Sequence, residues 1–400
     1  MVESENLPLK GVRVLDLGQI YLGGYAGFLL AEAGADVVKV EPPHGENLRN
    51  RPTVHGAAYP FLALNINKRS ICLDLKTASG RDEFLRLVGV ADVIFDNFSS
   101  GVMKRLNLDY SVLQANNPRI VYASGSGYGT GSRYEDYQAM DLTVQAMAGV
   151  MSVTGFPDSP PVKAGVAISD FMAGVHLYSG IVTALLQREH TGIGSLVEVP
   201  MLDATLPSML SSLAVVLGTD DEIAGRTGNR HGGMAEAPYN VYNALDGHAA
   251  IICVSEPQWA GLAEALGLPE LASDERFHTR AARVLNMTDL DAIISAWTAN
   301  KTRDQLVRLL RDKGVPVAPV RTLREVVEDP DLVDRGTLRD VVDPVLGRVR
   351  VLSSPIRYNR TPPIIPRPAP ALGGNRDEVM FDWLGEGNFA FGERMAPKSQ

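Results

Sequence analysis

The chain has 400 residues, 45% of them hydrophobic and 21% charged, and a net charge of −9. That length exceeds one ordinary domain, and an acidic balance with no basic tract argues against general nucleic-acid binding, leaving room only for a local basic site for a small phosphorylated ligand. No apolar run reaches the roughly 18 residues needed to cross a bilayer.

The first third alternates strands and helices. Gly11–Leu17 reads as a strand, Tyr25–Ala33 as a buried helix stopped by Gly34, and Asp36–Glu41 as a second strand. So compact a βαβ unit favours a parallel sheet with a right-handed crossover. Further strands are expected at Ile71–Leu75, Val93–Phe95 and Ile120–Ala123, with an amphipathic helix over Gly80–Val90. Helices at Leu142–Val150 and Asp170–Arg188 precede a strand at Leu196–Val199 and a helix from Met201. Composition shifts near Gly218-Thr219-Asp220-Asp221-Glu222, and residues 225–325 read as a smaller α+β unit. Its strands are expected at Tyr239–Ala244 and Ala249–Val254, its helices at Gln258–Leu266 and Thr302–Lys313. The Pro-rich run Pro355–Pro370 reads as an extended wrapping segment and the last dozen residues as a frayed tail. The fold class expected is α/β.

Met1-Val2-Glu3-Ser4-Glu5 lacks the basic and apolar parts of a signal peptide. Cys72 and Cys253 offer no disulfide framework, and the seven histidines form no His-x-x-x-His pair. A cytoplasmic location and no metal are expected.

The first βα turn, Gly18-Gln19-Ile20-Tyr21-Leu22-Gly23-Gly24, departs from Gly-x-Gly-x-x-Gly, although Glu41 ends the second strand where a ribose-binding acid would stand. The simpler role for Gly23 and Gly24 is to let the helix approach the sheet. Asn67-Lys68-Arg69-Ser70 puts two cations before a strand, which suits a solvated loop or a phosphate contact. Asp96-Asn97-Phe98 follows a strand's carboxyl end, where open α/β sheets bind ligands, and Arg105 comes shortly after. The loops Gly125–Gly131 and Gly228–Gly233 are either plain turns or places where a ligand meets backbone; a position at the junction of the two units favours a lid for the second. No Gly-x-Ser-x-Gly elbow supports a serine hydrolase.

Asp170 lies in the glycine-bracketed stretch Gly165-Val166-Ala167-Ile168-Ser169-Asp170-Phe171-Met172-Ala173-Gly174. With Ser169 as N-cap it falls in a first helical turn, where free N–H groups keep a carboxylate ionised, as a nucleophile requires. The alternative is an acid that only stabilises its helix.

Taken in order, several segments resemble the class III CoA-transferases, the family of formyl-CoA transferase, carnitine CoA-transferase and the α-methylacyl-CoA racemases. The matching stretches are Gly11–Glu41, Asn67–Lys76, Asp96-Asn97-Phe98, Asn117–Val121, Thr191–Gly194, Met201–Ala204 and Leu372–Val379, spanning nearly the whole chain. The resemblance implies a Rossmann-like large domain from residues 1–215 and 330–400, a smaller inserted α+β domain at 225–325, and an interlocked homodimer. It implies an acyl-CoA and a free carboxylic acid as substrates, with no permanently bound cofactor, no nucleic-acid partner and no membrane partner.

The resemblance also implies roles for single residues. The family's nucleophilic aspartate is matched by Asp170, and N–H groups near His231-Gly232-Gly233 would stabilise oxyanions. The active-site glutamine of the first loop is matched by Tyr21, a glutamate before the nucleophile by Asp141, and a CoA-contacting lysine by Gln138. Asn97, Phe98 and Arg105 keep CoA-binding identities, with Lys68 and Arg69 as further contacts. The racemases' histidine is matched by Met140, whose thioether carries no proton at neutral pH, which disfavours a racemase. Tyr21, Met140, Met151 and Met234 would line an acyl pocket larger than formate needs. A racemase and a non-catalytic subunit of a hetero-oligomeric transferase are the alternatives.

Overall fold

The apolar runs of the first half pair into one parallel sheet in the computed structural model, which describes residues 7–51, 58–218, 225–359, 361, 364 and 366–386. Its strands are β1 (Arg13–Leu17), β2 (Asp36–Glu41), β3 (Arg69–Cys72), β4 (Val93–Asp96), β5 (Val121–Ser126) and β6 (Leu196–Pro200). They lie in the order β3-β2-β1-β4-β5-β6, every pairing parallel. This is a doubly wound sheet whose order reverses between β1 and β4, where such sheets open a ligand crevice at their carboxyl ends. Helices cover both faces, so Val14, Leu15, Val93, Ile94 and Phe95 are wholly buried and the strands read as continuous apolar runs. Leu22–Glu32 and Ile168–Thr191 pack on one face; Ala78–Val88, Tyr110–Asn116 and the late Arg376–Leu384 pack on the other. Gly174 lets the two helices of the first face meet, since a Cβ there would lie 2.9 Å from Leu22 O.

The chain divides into two compact units. One comprises Met1–Val144, Ala167–Thr205 and Pro330–Gln400; the other comprises Gln145–Val166 and Leu206–Asp329. The expected division is corrected on this point, because 145–166 and 206–215 belong to the second unit. That unit holds an antiparallel sheet of β7 (Tyr239–Ala244), β8 (Gly247–Ile252) and β9 (Val317–Pro319) around Trp259, Phe277, Leu290 and Leu310. The Gly228–Gly233 loop belongs to this unit, where an Arg230–Asp291 ion pair of 2.8 Å holds it. The first unit adds an antiparallel hairpin, β10 (Leu338–Asp343) and β11 (Gly347–Leu352).

Three local expectations change. The strand expected at Ile71 begins at Arg69, which carries the Asn67–Ser70 stretch into the sheet edge. The helix expected over Leu142–Val150 is two, Asp141–Met147 and Val150–Val153, parted by Gly149 at φ 87. The helix from Met201 ends at Thr205 and tightens to a 3₁₀ turn, where Pro207 lacks an N–H. Described residues of Pro355–Pro370 form no helix or strand. The acidic start at 1–5, the composition shift at 219–222 and the tail from 389 lie outside the described residues. Two helical stretches, Ile168–Thr191 and Met201–Gly218, have the length and hydropathy of a membrane span, although polar residues interrupt both. Ile168–Thr191 is a core helix, with Ala173, Leu177 and Ile181 fully buried.

Candidate active site

A cleft of about 310 Å³ opens at the switch point between β1 and β4. Gln19 and Ile20 after β1, Asn97 to Ser100 after β4, and Gly125 to Gly129 around the end of β5 form its walls. The segment Tyr137–Asp141 and the Asp170 side of the long helix complete it. Glycines make the enclosure possible. A Cβ on Gly23 would stand 2.4 Å from Gly18 Cα and 2.8 Å from Asn97 Oδ1, so the first helix meets the sheet only through them.

Asp170 is 9% exposed and sits in the first turn of Ile168–Thr191. Ser169 is not the cap: it is the second residue of the helix, and its buried hydroxyl has no hydrogen-bond partner among the described residues. Ala167 occupies the cap position and offers no acceptor. Asp141 caps the helix instead, its Oδ1 accepting the N–H of Ser169 at 3.0 Å and of Asp170 at 3.4 Å. The Asp170 carboxylate itself accepts no hydrogen bond among the described residues. Burial first, and the Asp141 charge second, push its pKa up to about 7. The expectation of a fully ionised acid is therefore corrected. Loss of water and a neighbouring carboxylate outweigh the helix end. What results is an acid whose carboxylate, once deprotonated, is more nucleophilic than that of an ordinary aspartate.

The sequence matches the model of CoA-transferase family III over residues 9–376. The chain belongs to this family. A succinyl-CoA–D-citramalate CoA-transferase of Chloroflexus aurantiacus is 36% identical, with 94% of each chain covered. A formyl-CoA:oxalate CoA-transferase of Streptomyces coelicolor is 36% identical, with 95% of this chain and 96% of that one covered. Among solved structures, a CAIB/BAIF family protein from Brucella suis superposes with a TM-score of 0.82 at 34% identity, covering 95% of this chain and all of the other. The protein is thus a CoA-transferase enzyme.

Of the residues matched to family III sites, Asp141, Met140, Gln138, Asn97 and Phe98 line the cleft with Asp170. Met140 is half exposed there. Tyr21 does not line it: its ring stacks on Phe171 with centroids 5.7 Å apart. Gln19, two residues earlier, lines the cleft and was missed; its place at the carboxyl end of β1 was the available signal. Asn97 also braces the turn before it, because Oδ1 accepts the Gln19 N–H at 2.6 Å and Nδ2 donates to Gln19 O at 3.0 Å. Beneath it, Asp96 accepts the Phe98 N–H at 2.9 Å and the Tyr122 hydroxyl at 2.6 Å, and burial pushes its pKa up to about 6.

Lys68 and Arg69 are corrected as CoA contacts. Lys68 Nζ is wholly buried, 2.8 Å from Asp16 Oδ2 and 3.0 Å from Asn65 Oδ1. Arg69 grips Asp36 through two nitrogens and Asp382 through a third at 2.8 Å. Nor is Glu41 a ribose ligand, since Arg49 holds both its oxygens at 2.7 and 2.9 Å. Arg105, by contrast, is exposed at the end of the short helix Val102–Arg105, whose first residue lines the cleft. It has no carboxylate partner among the described residues. Three carboxylates (Glu135, Asp141, Asp170) and no lysine or arginine line the cleft among the described residues.

His231, Gly232 and Gly233 belong to the second unit, as do Met151 and Met234. His231 Nδ1 accepts the Gly233 N–H at 3.2 Å and the Ala235 N–H at 3.3 Å. The Gly233 N–H is thus engaged within the loop.

Proposed function

We propose that the chain moves coenzyme A from an acyl-CoA thioester to a free carboxylic acid, with Asp170 as the nucleophile. The buried, unbonded Asp170 carboxylate on the switch-point cleft carries this reading. An Asp170 oxygen attacks the thioester carbonyl carbon, and the C–S bond breaks to give a mixed aspartyl anhydride and CoA thiolate. The thiolate attacks the Asp170 carbonyl carbon, releasing the donor acid as its carboxylate and leaving an aspartyl-CoA thioester. The acceptor carboxylate then attacks this thioester, expelling the thiolate and forming a second anhydride. Return of the thiolate to the acceptor's carbonyl carbon regenerates Asp170. Burial supports the scheme by limiting hydrolysis of the anhydride.

Wild-type protein incubated with acetyl-CoA and trapped with hydroxylamine or borohydride should carry a mass change on the peptide containing Asp170. A modification confined to other residues would refute the assignment. Because only ionised Asp170 attacks, kcat/KM should fall as pH drops below about 7. Asp141→Asn, which keeps the cap but removes the charge, should move that inflection to lower pH. An unmoved inflection would sink the electrostatic account.

Arg105 is the phosphate contact in this reading. Arg105→Ala should raise KM for acyl-CoA about tenfold, by loss of a charge-assisted contact, and leave the melting temperature unchanged. An unchanged KM would remove Arg105 from the site. The relatives named above act on succinyl-CoA with D-citramalate and on formyl-CoA with oxalate, which supports a dicarboxylic acid as one partner of the exchange. The exposed thioether of Met140 supports an acyl group larger than formate. A racemase would need a proton carrier beside Asp170; no histidine lines the cleft among the described residues. A homodimer completes the reading, supported by Leu186, Ile193 and Leu196, which stay exposed on the first unit. Its mass in solution tests this. The cytoplasm is the compartment, in keeping with two unpaired cysteines.

A further inference from the structure

The backbone of Gly18–Ile20 is held almost group by group by side chains from elsewhere in the first unit. Asp16 accepts the Gly18 N–H at 2.7 Å and Lys39 Nζ donates to Gly18 O at 2.7 Å. Asn97 bridges both polar groups of Gln19, and Glu46 Oε2 accepts the Ile20 N–H at 3.4 Å. Lys39 and Glu46 face each other at 3.8 Å and are 1% and 4% exposed. Burying two such charges is costly, and neither lines the cleft; Lys39 bonds the turn directly, and Glu46 Oε2, which also accepts the Leu48 N–H at 3.0 Å, supports its Ile20 end.

The turn they hold is strained. Ile20 has φ 55, a left-handed conformation that a β-branched residue rarely adopts. Such strain persists only where the surroundings over-determine it, and it gathers at functional sites. Gln19 and Ile20 line the cleft, and the next residue, Tyr21, stacks on Phe171 beside Asp170. The strained turn is thereby tied to the helix that carries the nucleophile.

We propose that the Gly18–Ile20 turn is a rigid wall that limits the bulk of the acyl group reaching Asp170. Ile20 meets the acyl chain, and Lys39 and Glu46 are positioning residues that keep it there. The proposal rests on Asp170 being the attacking group. Relaxation of Ile20 to negative φ would swing its side chain off the wall and admit branched acyl groups.

The test measures kcat/KM for acetyl-CoA and isobutyryl-CoA, with succinate as acceptor. Ile20→Gly accepts φ 55 without strain and removes only the side chain. It should raise the isobutyryl-to-acetyl ratio by about tenfold to a hundredfold, isobutyryl having two carbons more and an apolar wall discriminating about tenfold or more per added carbon. Lys39→Met and Glu46→Ala should shift the ratio the same way, and Glu46→Gln, which keeps an acceptor for Ile20, should restore it toward wild type. An unchanged ratio in Ile20→Gly overturns the wall. Equal losses on both donors in Lys39→Met and Glu46→Ala would reduce those residues to structural support and overturn their positioning role. Failure of the wild-type protein to form an Asp170 adduct with acetyl-CoA would instead refute the nucleophile, and so separates the two ideas. Should Lys39→Met fail to fold, the Ile20 and Glu46 variants decide.

Discussion

Asp170→Asn will abolish transfer and stabilise the fold. The loss follows because an amide forms neither anhydride nor thioester, so transfer should fall by about 10⁴-fold or more. The gain follows from the raised pKa of about 7 against an ordinary value of 3.8. In this range the folded protein holds a proton that the unfolded chain has released, so stability falls as pH rises from about 4 to about 7. Asn is close in shape to protonated aspartic acid and carries no such pH dependence. The variant should therefore be more stable than wild type by roughly 2–4 kcal/mol above pH 7, with the difference vanishing below about pH 4. Melting curves of both proteins across that range measure it. A variant less stable than wild type at pH 8 would show that the carboxylate is not held at a cost.

The second large effect is expected at Lys68, whose removal should damage the fold and leave CoA recognition intact. Lys68→Met strands Asp16 in the interior, with the Gly18 N–H as its remaining partner among the described contacts. Breaking a buried ion pair from one side costs about 3–5 kcal/mol. Replacing both members, as in Asp16→Asn with Lys68→Met, should recover much of that loss, because no unpaired charge then stays buried. The molecules that remain folded should bind acyl-CoA with unchanged KM. A raised KM with an unchanged melting temperature would return Lys68 to the CoA site.

Much of the first unit was legible in order along the chain. Its parallel strands are buried on both faces, so Val14-Leu15 and Val93-Ile94-Phe95 declare themselves as apolar runs. The β10–β11 hairpin does not, because Arg348 and Arg350 alternate along it and pair with Asp340 at the surface. The Asn67–Ser70 stretch misled for a different reason. A buried lysine and a solvated one look alike in sequence, and only the fold brings Asp16 and Asp36 against these cations. Nor could the type of Asn97 show that its side chain braces the Gln19 backbone.

What the sequence determined by itself is a parallel α/β sheet, an acid in the first turn of a long apolar helix, and membership of a CoA-transferase family. Those follow from patterns local in the chain and from motifs in a fixed order. Tertiary structure alone decided which carboxylate caps that helix, which cations are locked in buried ion pairs, and that burial and Asp141 push the Asp170 pKa up. Each of these depends on burial and on neighbours far along the chain, Asp141 and Asp16 above all. Desolvation and charge act through space, and their strength is set by the packing that places these groups together.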